Sequence, residues 1–342
     1  MTYWFKKNIS FFVKIAIALF AIFFLNKSGL LKISSIKSVF NFSTIAPLSL
    51  LIFISIILSS LRWFLLLRSQ KIKITFLRCL YIYYVGFSFN FLLPGGVAGD
   101  VIKIQNIIKG NQTKKSVAGL SVIVDRLVGL MVCALIILIF VPTILLAINP
   151  SNSLFAGSKI FLLTYYFSVI FLILIGLLAV SFFLRNKLIY RKLTRFFSRR
   201  KGRLWKSFSL IFQNTFSYRK SKLILILNLG IACLVQILMA ICLLLIAKDI
   251  LPYSLIKLSD YNLASVVAQV ISIVPISPGG IGVGETVFAK VLYHLNGKII
   301  LEYASIYLTL RVLHIFVSIP GVIFFLLPLR ENWHNEKAKE NL

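Results

Sequence analysis

Acidic residues are scarce in this 342-residue chain: nine Asp and Glu stand against 38 Lys and Arg, a formal net charge of +29. No Gly-x-x-x-x-Gly-Lys-Ser/Thr phosphate loop occurs, so the chain carries no ATPase of that type. Cysteine is limited to Cys79, Cys133, Cys233 and Cys242, all in or beside apolar runs and none in a Cys-x-x-Cys pair. They read as small buried hydrophobes rather than disulfides or metal ligands. The three histidines are scattered without zinc spacing, so neither a metal nor a cofactor is expected. No small-residue cleavage site follows the apolar run from Phe11 to Leu25, which therefore reads as an uncleaved first span. Long polar stretches are also missing, which leaves no room for a soluble domain.

What is present is apolar surface. Hydrophobic residues make up 59% of the chain and aromatics 14%, with a mean hydropathy of +0.94. They come in runs of about twenty, the length that crosses a bilayer. The expected fold class is an all-α polytopic membrane protein, a single integral membrane domain over 1–342. The positive charge gathers in a few loops, which fits membrane topology and anionic lipid and argues against a nucleic-acid partner.

Six full spans are predicted, at about 9–26, 45–67, 116–147, 159–184, 223–247 and 300–328. Between them lie two broken elements, 75–109 in a first half (1–147) and 261–296 in a second half (159–329). Each reads as a re-entrant helical hairpin, because a broken backbone at membrane depth needs protein or a water-filled cavity to satisfy it. The segment 185–222 carries thirteen Lys or Arg and no acid. Leu204, Trp205, Phe208, Ile211, Phe212 and Phe216 recur there at helical spacing, as in a helix lying at the headgroups. Residues 331–342 form a polar tail. With both termini in the cytoplasm, 27 basic residues fall inside, among them Arg62 and Lys103, and 7 outside, which sets the expected orientation in a cytoplasmic (inner) membrane.

The two broken elements share a device. Asn90-Phe91-Leu92-Leu93-Pro94-Gly95-Gly96-Val97-Ala98-Gly99-Asp100 is followed by Asp125-Arg126 inside the next apolar run. Pro278-Gly279-Gly280-Ile281-Gly282-Val283-Gly284-Glu285 is followed by Arg311 in the same way. Asp100 to Arg126 and Glu285 to Arg311 both span 26 positions. One Pro-Gly-Gly alone is a turn, and one membrane Asp–Arg pair alone is a helix clamp. Two copies at matched spacing point to an inverted repeat around a transport site.

Charges at bilayer depth cost roughly 2.5–3.5 kcal/mol on insertion scales, so their presence is functional by default. Asp125 and Arg126 are adjacent and cannot face one another on a helix. The expected pairs are Asp100 with Arg126 and Glu285 with Arg311, with His314 on the Arg311 face either assisting or simply a satisfied core histidine. Pro94 and Pro278 end the incoming helices, and Gly95, Gly96, Gly99, Gly279, Gly280, Gly282 and Gly284 allow close backbone approach. The second helix of each hairpin then starts with free N–H groups that can hold an anion, and arginine adds a planar fork suited to phosphate.

These stretches, together with Val124-Asp125-Arg126-Leu127 and Pro275-Ile276-Ser277-Pro278, closely resemble the flippase-like family that includes the transmembrane region of lysylphosphatidylglycerol synthase. The likeness covers nearly the whole chain. It implies translocation of a phospholipid or lipid-linked anionic substrate, with Asn90, Pro94, Gly95, Gly96, Gly99, Asp100, Asp125, Arg126, Pro278, Gly279, Gly280, Glu285 and Arg311 at the family's motif positions. Ala98 departs from the pattern, where the family usually has another glycine. In bifunctional members a separate synthase domain makes the aminoacylated lipid. None precedes Leu342, so lysyl transfer is not expected and the chain is read as a non-enzyme. Two other readings stand beside this one: a membrane transferase with Asp100 or Glu285 as base, and a scaffold for a separate lipid-modifying enzyme.

Overall fold

The computed structural model describes residues 41–92, 98–111, 115–147, 222–251, 257–272, 282–296 and 302–326. The expected spans 9–26 and 159–184, nearly all of the basic segment 185–222 and the tail 331–342 lie outside the described residues. So do Pro94, Gly95, Gly96, Pro278, Gly279 and Gly280. Eight helices are described: α1 (Phe42–Ser69), α2 (Phe76–Leu92), α3 (Ala98–Asn111), α4 (Lys115–Ala147), α5 (Lys222–Ile250), α6 (Leu258–Ser272), α7 (Val283–Asn296) and α8 (Tyr303–Leu326).

Length divides them into two classes. Helices α1, α4, α5 and α8 have 28, 33, 29 and 24 residues. At 1.5 Å per residue they run about 36–50 Å, more than the roughly 30 Å hydrocarbon core. These four are also apolar enough to cross a membrane. Helices α2, α3, α6 and α7 have 17, 14, 15 and 14 residues, only about 21–26 Å each. Among the described residues none of the four is long and apolar enough to be a candidate span, and they pack in sequential pairs, α2 on α3 and α6 on α7. These pairs fall on the stretches expected to be broken elements, 75–109 and 261–296, with α6 beginning at Leu258.

The packing has a reciprocal pattern. Helix α1, which precedes the first pair, packs on α5, which precedes the second. Helix α4, which follows the first pair, packs on α3 and also on α6 of the other pair; α8 likewise packs on α7 and on α2. The larger apolar core runs through this arrangement, from Leu48 and Ile52 of α1 to Leu243 of α5 and Leu310 of α8. Within it Phe288 stacks between Tyr261 and Tyr307, ring centroids 6.5 and 4.9 Å away. A second cluster joins Trp63 and Leu67 of α1 with Cys79 of α2, Ile107 of α3 and Ala118 of α4.

Lipid is as apolar as leucine, so helices in a membrane are joined by close packing and polar clamps. The α2–α8 seam has both. Pro320 removes an N–H from α8. Beside it, the Tyr84 hydroxyl donates to the Val317 carbonyl at 2.5 Å and the Ser88 hydroxyl to the Ser318 carbonyl at 2.7 Å. Gly321 lets the helices approach: a Cβ there would meet the Ser88 hydroxyl and, at 3.1 Å, the Tyr84 carbonyl oxygen.

Three expectations are corrected. Arg62 and Lys103, assigned to cytoplasmic segments, are buried in the helix assembly. Cys233 is exposed on α5, whereas Cys79, Cys133 and Cys242 are buried as expected, and all four are free thiols.

Candidate functional site

Asp100 and Glu285 occupy the same place in their helices, the third residue of α3 and of α7. An acid there is favoured by the partial positive charge of the helix N-terminus. At α7 the geometry is a capping arrangement. Gly282, at φ 86°, precedes the helix, and its N–H donates to Glu285 Oε2 at 2.5 Å. Its carbonyl accepts from the Thr286 amide at 3.2 Å and hydroxyl at 2.7 Å. The positive φ requires glycine. The anion seat expected at the start of α7 is thus filled by the chain's own carboxylate.

The other oxygen of Glu285 faces Arg311, with Nε 3.0 Å from Oε1. Arg311 is also tied to α6, where the Ser272 hydroxyl accepts from Nη2 at 3.0 Å, and its guanidinium lies 5.2 Å from the Tyr307 ring centre. Gly284 makes the room: a Cβ at that position would strike Arg311 Nη2 and come within 2.8 Å of the Ser272 hydroxyl. The Tyr307 ring edge is also near, 3.1 Å from that position. Gly284→Ala is therefore expected to dislodge Arg311 and leave the buried Glu285 carboxylate without its partner, at a cost of about 3 kcal/mol. Its check is a lowered melting temperature of the purified protein, and a variant that melts like the wild type would contradict it.

The first hairpin is built on backbone contact. A Cβ at Gly99 would overlap the Gly86 carbonyl, so α2 and α3 touch at this glycine pair. The Asn90 side-chain oxygen accepts from the Gly99 amide at 3.0 Å and braces the crossing. Asp100 is ion-paired with Arg126 of α4, and Lys103 Nζ lies 3.9 Å away on its other side. Both expected pairs are therefore present, Asp100 with Arg126 and Glu285 with Arg311.

Their exposure differs. The Arg126 side chain is 44% exposed above a buried Asp100, whereas Arg311 is 13% and Glu285 1% exposed. His314 sits with Nδ1 2.8 Å from the Leu310 carbonyl and its ring 6.0 Å from that of Phe87, the contacts of a core histidine.

The partner of Asp125 lies on α1: Arg62 Nε donates to Asp125 Oδ1 at 2.7 Å. Sequence reasoning missed this pair. The signal was present, since Arg62 lies inside the apolar run expected to span, six positions before Arg68. A half-buried amide pair was missed as well. Gln236 of α5 and Gln269 of α6 exchange hydrogen bonds at 3.2 and 3.3 Å, and Gln236 Nε2 also donates to Cys133 Sγ on α4 at 3.3 Å. Gln269 is three residues before Ser272, so this contact lies one turn from the Arg311 site.

With this geometry in hand, comparison with known families is decisive for kinship. The family described as lysylphosphatidylglycerol synthase TM region matches residues 11–327. The chain belongs to this family. No curated protein and no solved structure matches it. The match to the lysylphosphatidylglycerol synthase TM region takes in both hairpins and their arginines, together with the four described helices long enough to span. The chain is therefore a multi-pass membrane protein whose candidate site is a pair of hairpin-borne carboxylates, each held by an arginine from the helix that follows.

Proposed function

We propose that the protein translocates an anionic phospholipid or lipid-linked substrate across the cytoplasmic membrane, with the two hairpins as half-sites of one route. The observation that carries this reading is the duplicated centre, an acid at the third residue of the second hairpin helix ion-paired with an arginine 26 positions on. The reciprocal packing of α1 with α5, α4 with α6 and α8 with α2 supports an inverted repeat. In that reading the half-sites face opposite sides, the termini are cytoplasmic, and the headgroup passes between arginines while the tails stay in lipid. The loss of Arg62 and Lys103 from the cytoplasmic tally leaves the excess of basic residues inside.

Carriage is favoured over lipid-modifying catalysis because Asp100, Asp125 and Glu285 are each committed to an arginine. Reconstitution tests the proposal: vesicles with a fluorescent phosphatidylglycerol, a membrane-impermeant quencher and the purified full chain. Bleaching of the inner-leaflet dye at least about tenfold faster than in protein-free vesicles is expected, a barrier difference of about 1.4 kcal/mol. An unchanged rate for phosphatidylglycerol and other anionic headgroups defeats the reading.

A further inference from the structure

Glu285 is the most deeply buried acid among the described residues, 1% exposed, and its two oxygens are held differently. Oε2 accepts the Gly282 N–H, a backbone bond that side-chain movement leaves in place. Oε1 meets Arg311 by charge, 3.0 Å from Nε, and accepts no aligned hydrogen bond among the described residues. The lone pairs of Oε1 are thus open to a proton.

Among the described residues one cation faces this carboxylate, Arg311 of α8. The same helix brings the neutral phenol of Tyr307, whose ring centre is 5.2 Å from the guanidinium. His314, one turn further, has Nδ1 on the Leu310 carbonyl. Helix α6 contributes the Ser272 hydroxyl, and α4 the Cys133 thiol bonded to Gln236. On α7 itself Lys290 is exposed and His294 lies in the last turn. The other paired acids differ: Asp125 is clamped to Arg62, and Asp100 has Lys103 Nζ 3.9 Å away besides Arg126.

A phosphodiester monoanion that reaches Arg311 brings a second negative charge to a carboxylate with one cation. Arg311 supplies a single positive charge whatever else it touches. Two anions side by side and closed to water cannot both stay ionised, which is why paired carboxylates share a proton. The carboxylate is the weaker acid of the two, so the proton goes to Glu285.

We propose, building on the translocation reading, that the protein carries a proton with each anionic headgroup and that Glu285 is its carrier. Oε1 takes one proton from the aqueous side at which the headgroup enters, as the phosphate engages Arg311. It gives that proton up on the other side, when the headgroup leaves and the ion pair re-forms. No bond of the lipid breaks. For a phosphodiester headgroup the cycle moves no net charge.

The test uses vesicles holding the purified full chain and a trace of fluorescent phosphatidylglycerol in both leaflets, with a membrane-impermeant quencher reading the outer share. An interior one pH unit more alkaline draws protons inward. The wild type is expected to move the lipid with them, lowering the outer share from about half to about one tenth, the ratio that one unit sets. A potassium diffusion potential at equal pH should leave the share unchanged. Glu285→Gln has no site for the proton, and a variant that elutes and melts as a folded protein should show no shift under the pH gradient.

An unchanged wild-type share under the gradient overturns the inference. So does a shift driven by the potential alone, or a folded Glu285→Gln protein that still follows the gradient. If Glu285→Gln does not fold, the two wild-type conditions still decide. The quenching rate at equal pH separates the two readings. Wild-type translocation that ignores the gradient defeats this inference alone. A rate no faster than in protein-free vesicles defeats the translocation reading and this one with it.

Discussion

Replacing Asp125 with Leu is expected to destabilise the protein by about 3–5 kcal/mol, the cost of leaving one member of a buried ion pair without its partner. Arg62 and Asp125 are both buried, and their 2.7 Å bond joins α1 to α4 across 63 residues of sequence. With the carboxylate gone, the guanidinium stays inside with its charge uncompensated, next to Gly129 and away from water. The double variant Arg62→Leu/Asp125→Leu should recover most of the loss, because replacing a whole buried pair by apolar side chains is close to neutral. Thermal unfolding of the detergent-solubilised protein, followed by tryptophan fluorescence, measures both. A single variant that melts like the wild type, or a double variant no better than the single one, contradicts the assignment of this pair as a clamp.

The second large effect is expected at Gly99. A methyl group there would occupy the place of the Gly86 carbonyl, which is backbone of the facing helix and cannot swing aside. Gly99→Ala should force α2 and α3 apart, break the Asn90 brace and displace Asp100 from Arg126, at a cost of about 3 kcal/mol or more. Asn90→Ala removes only the brace and should cost about 1 kcal/mol. The same unfolding measurement separates them. Equal effects of the two variants would mean that the glycine contact is not what holds the hairpin together.

The contrast with Gly284 shows how far sequence reasoning reaches. Both glycines stand out in their motifs, and both turn out to lie at a close approach. Only the structure distinguishes a glycine facing backbone from one facing side chains. The pairs Asp100–Arg126 and Glu285–Arg311 were legible because equal spacing in two copies restricts the choices, and the membrane forbids leaving charges alone.

The Arg62–Asp125 pair was hidden by its position. Arg62 stands near the end of an apolar run, where a basic residue ordinarily reaches toward the headgroups. Lys103 misled for the same reason, and the Tyr83 and Trp63 faces that hold it belong to two other helices. Gln236 and Gln269 are single polar residues in apolar runs, which predicts that each has a partner but not that they have each other. The short helices α2, α3, α6 and α7 fall within or close to the stretches 75–109 and 261–296 that the sequence marks out. The capping of α7 was not legible, since whether Glu285 folds back on Gly282 depends on a positive φ that sequence does not display.

The claim that both hairpins serve one route is tested most directly by the single variants Arg126→Ala and Arg311→Ala in the reconstituted vesicle assay, each first shown to elute and melt as a folded protein. In the proposed route each arginine gives a headgroup phosphate two charge-assisted hydrogen bonds, about 3 kcal/mol together, or on the order of 100-fold in rate. The account predicts that each variant alone falls to the protein-free rate. A folded Arg311→Ala protein that translocates phosphatidylglycerol as fast as the wild type would contradict it, leaving the first hairpin as a site on its own.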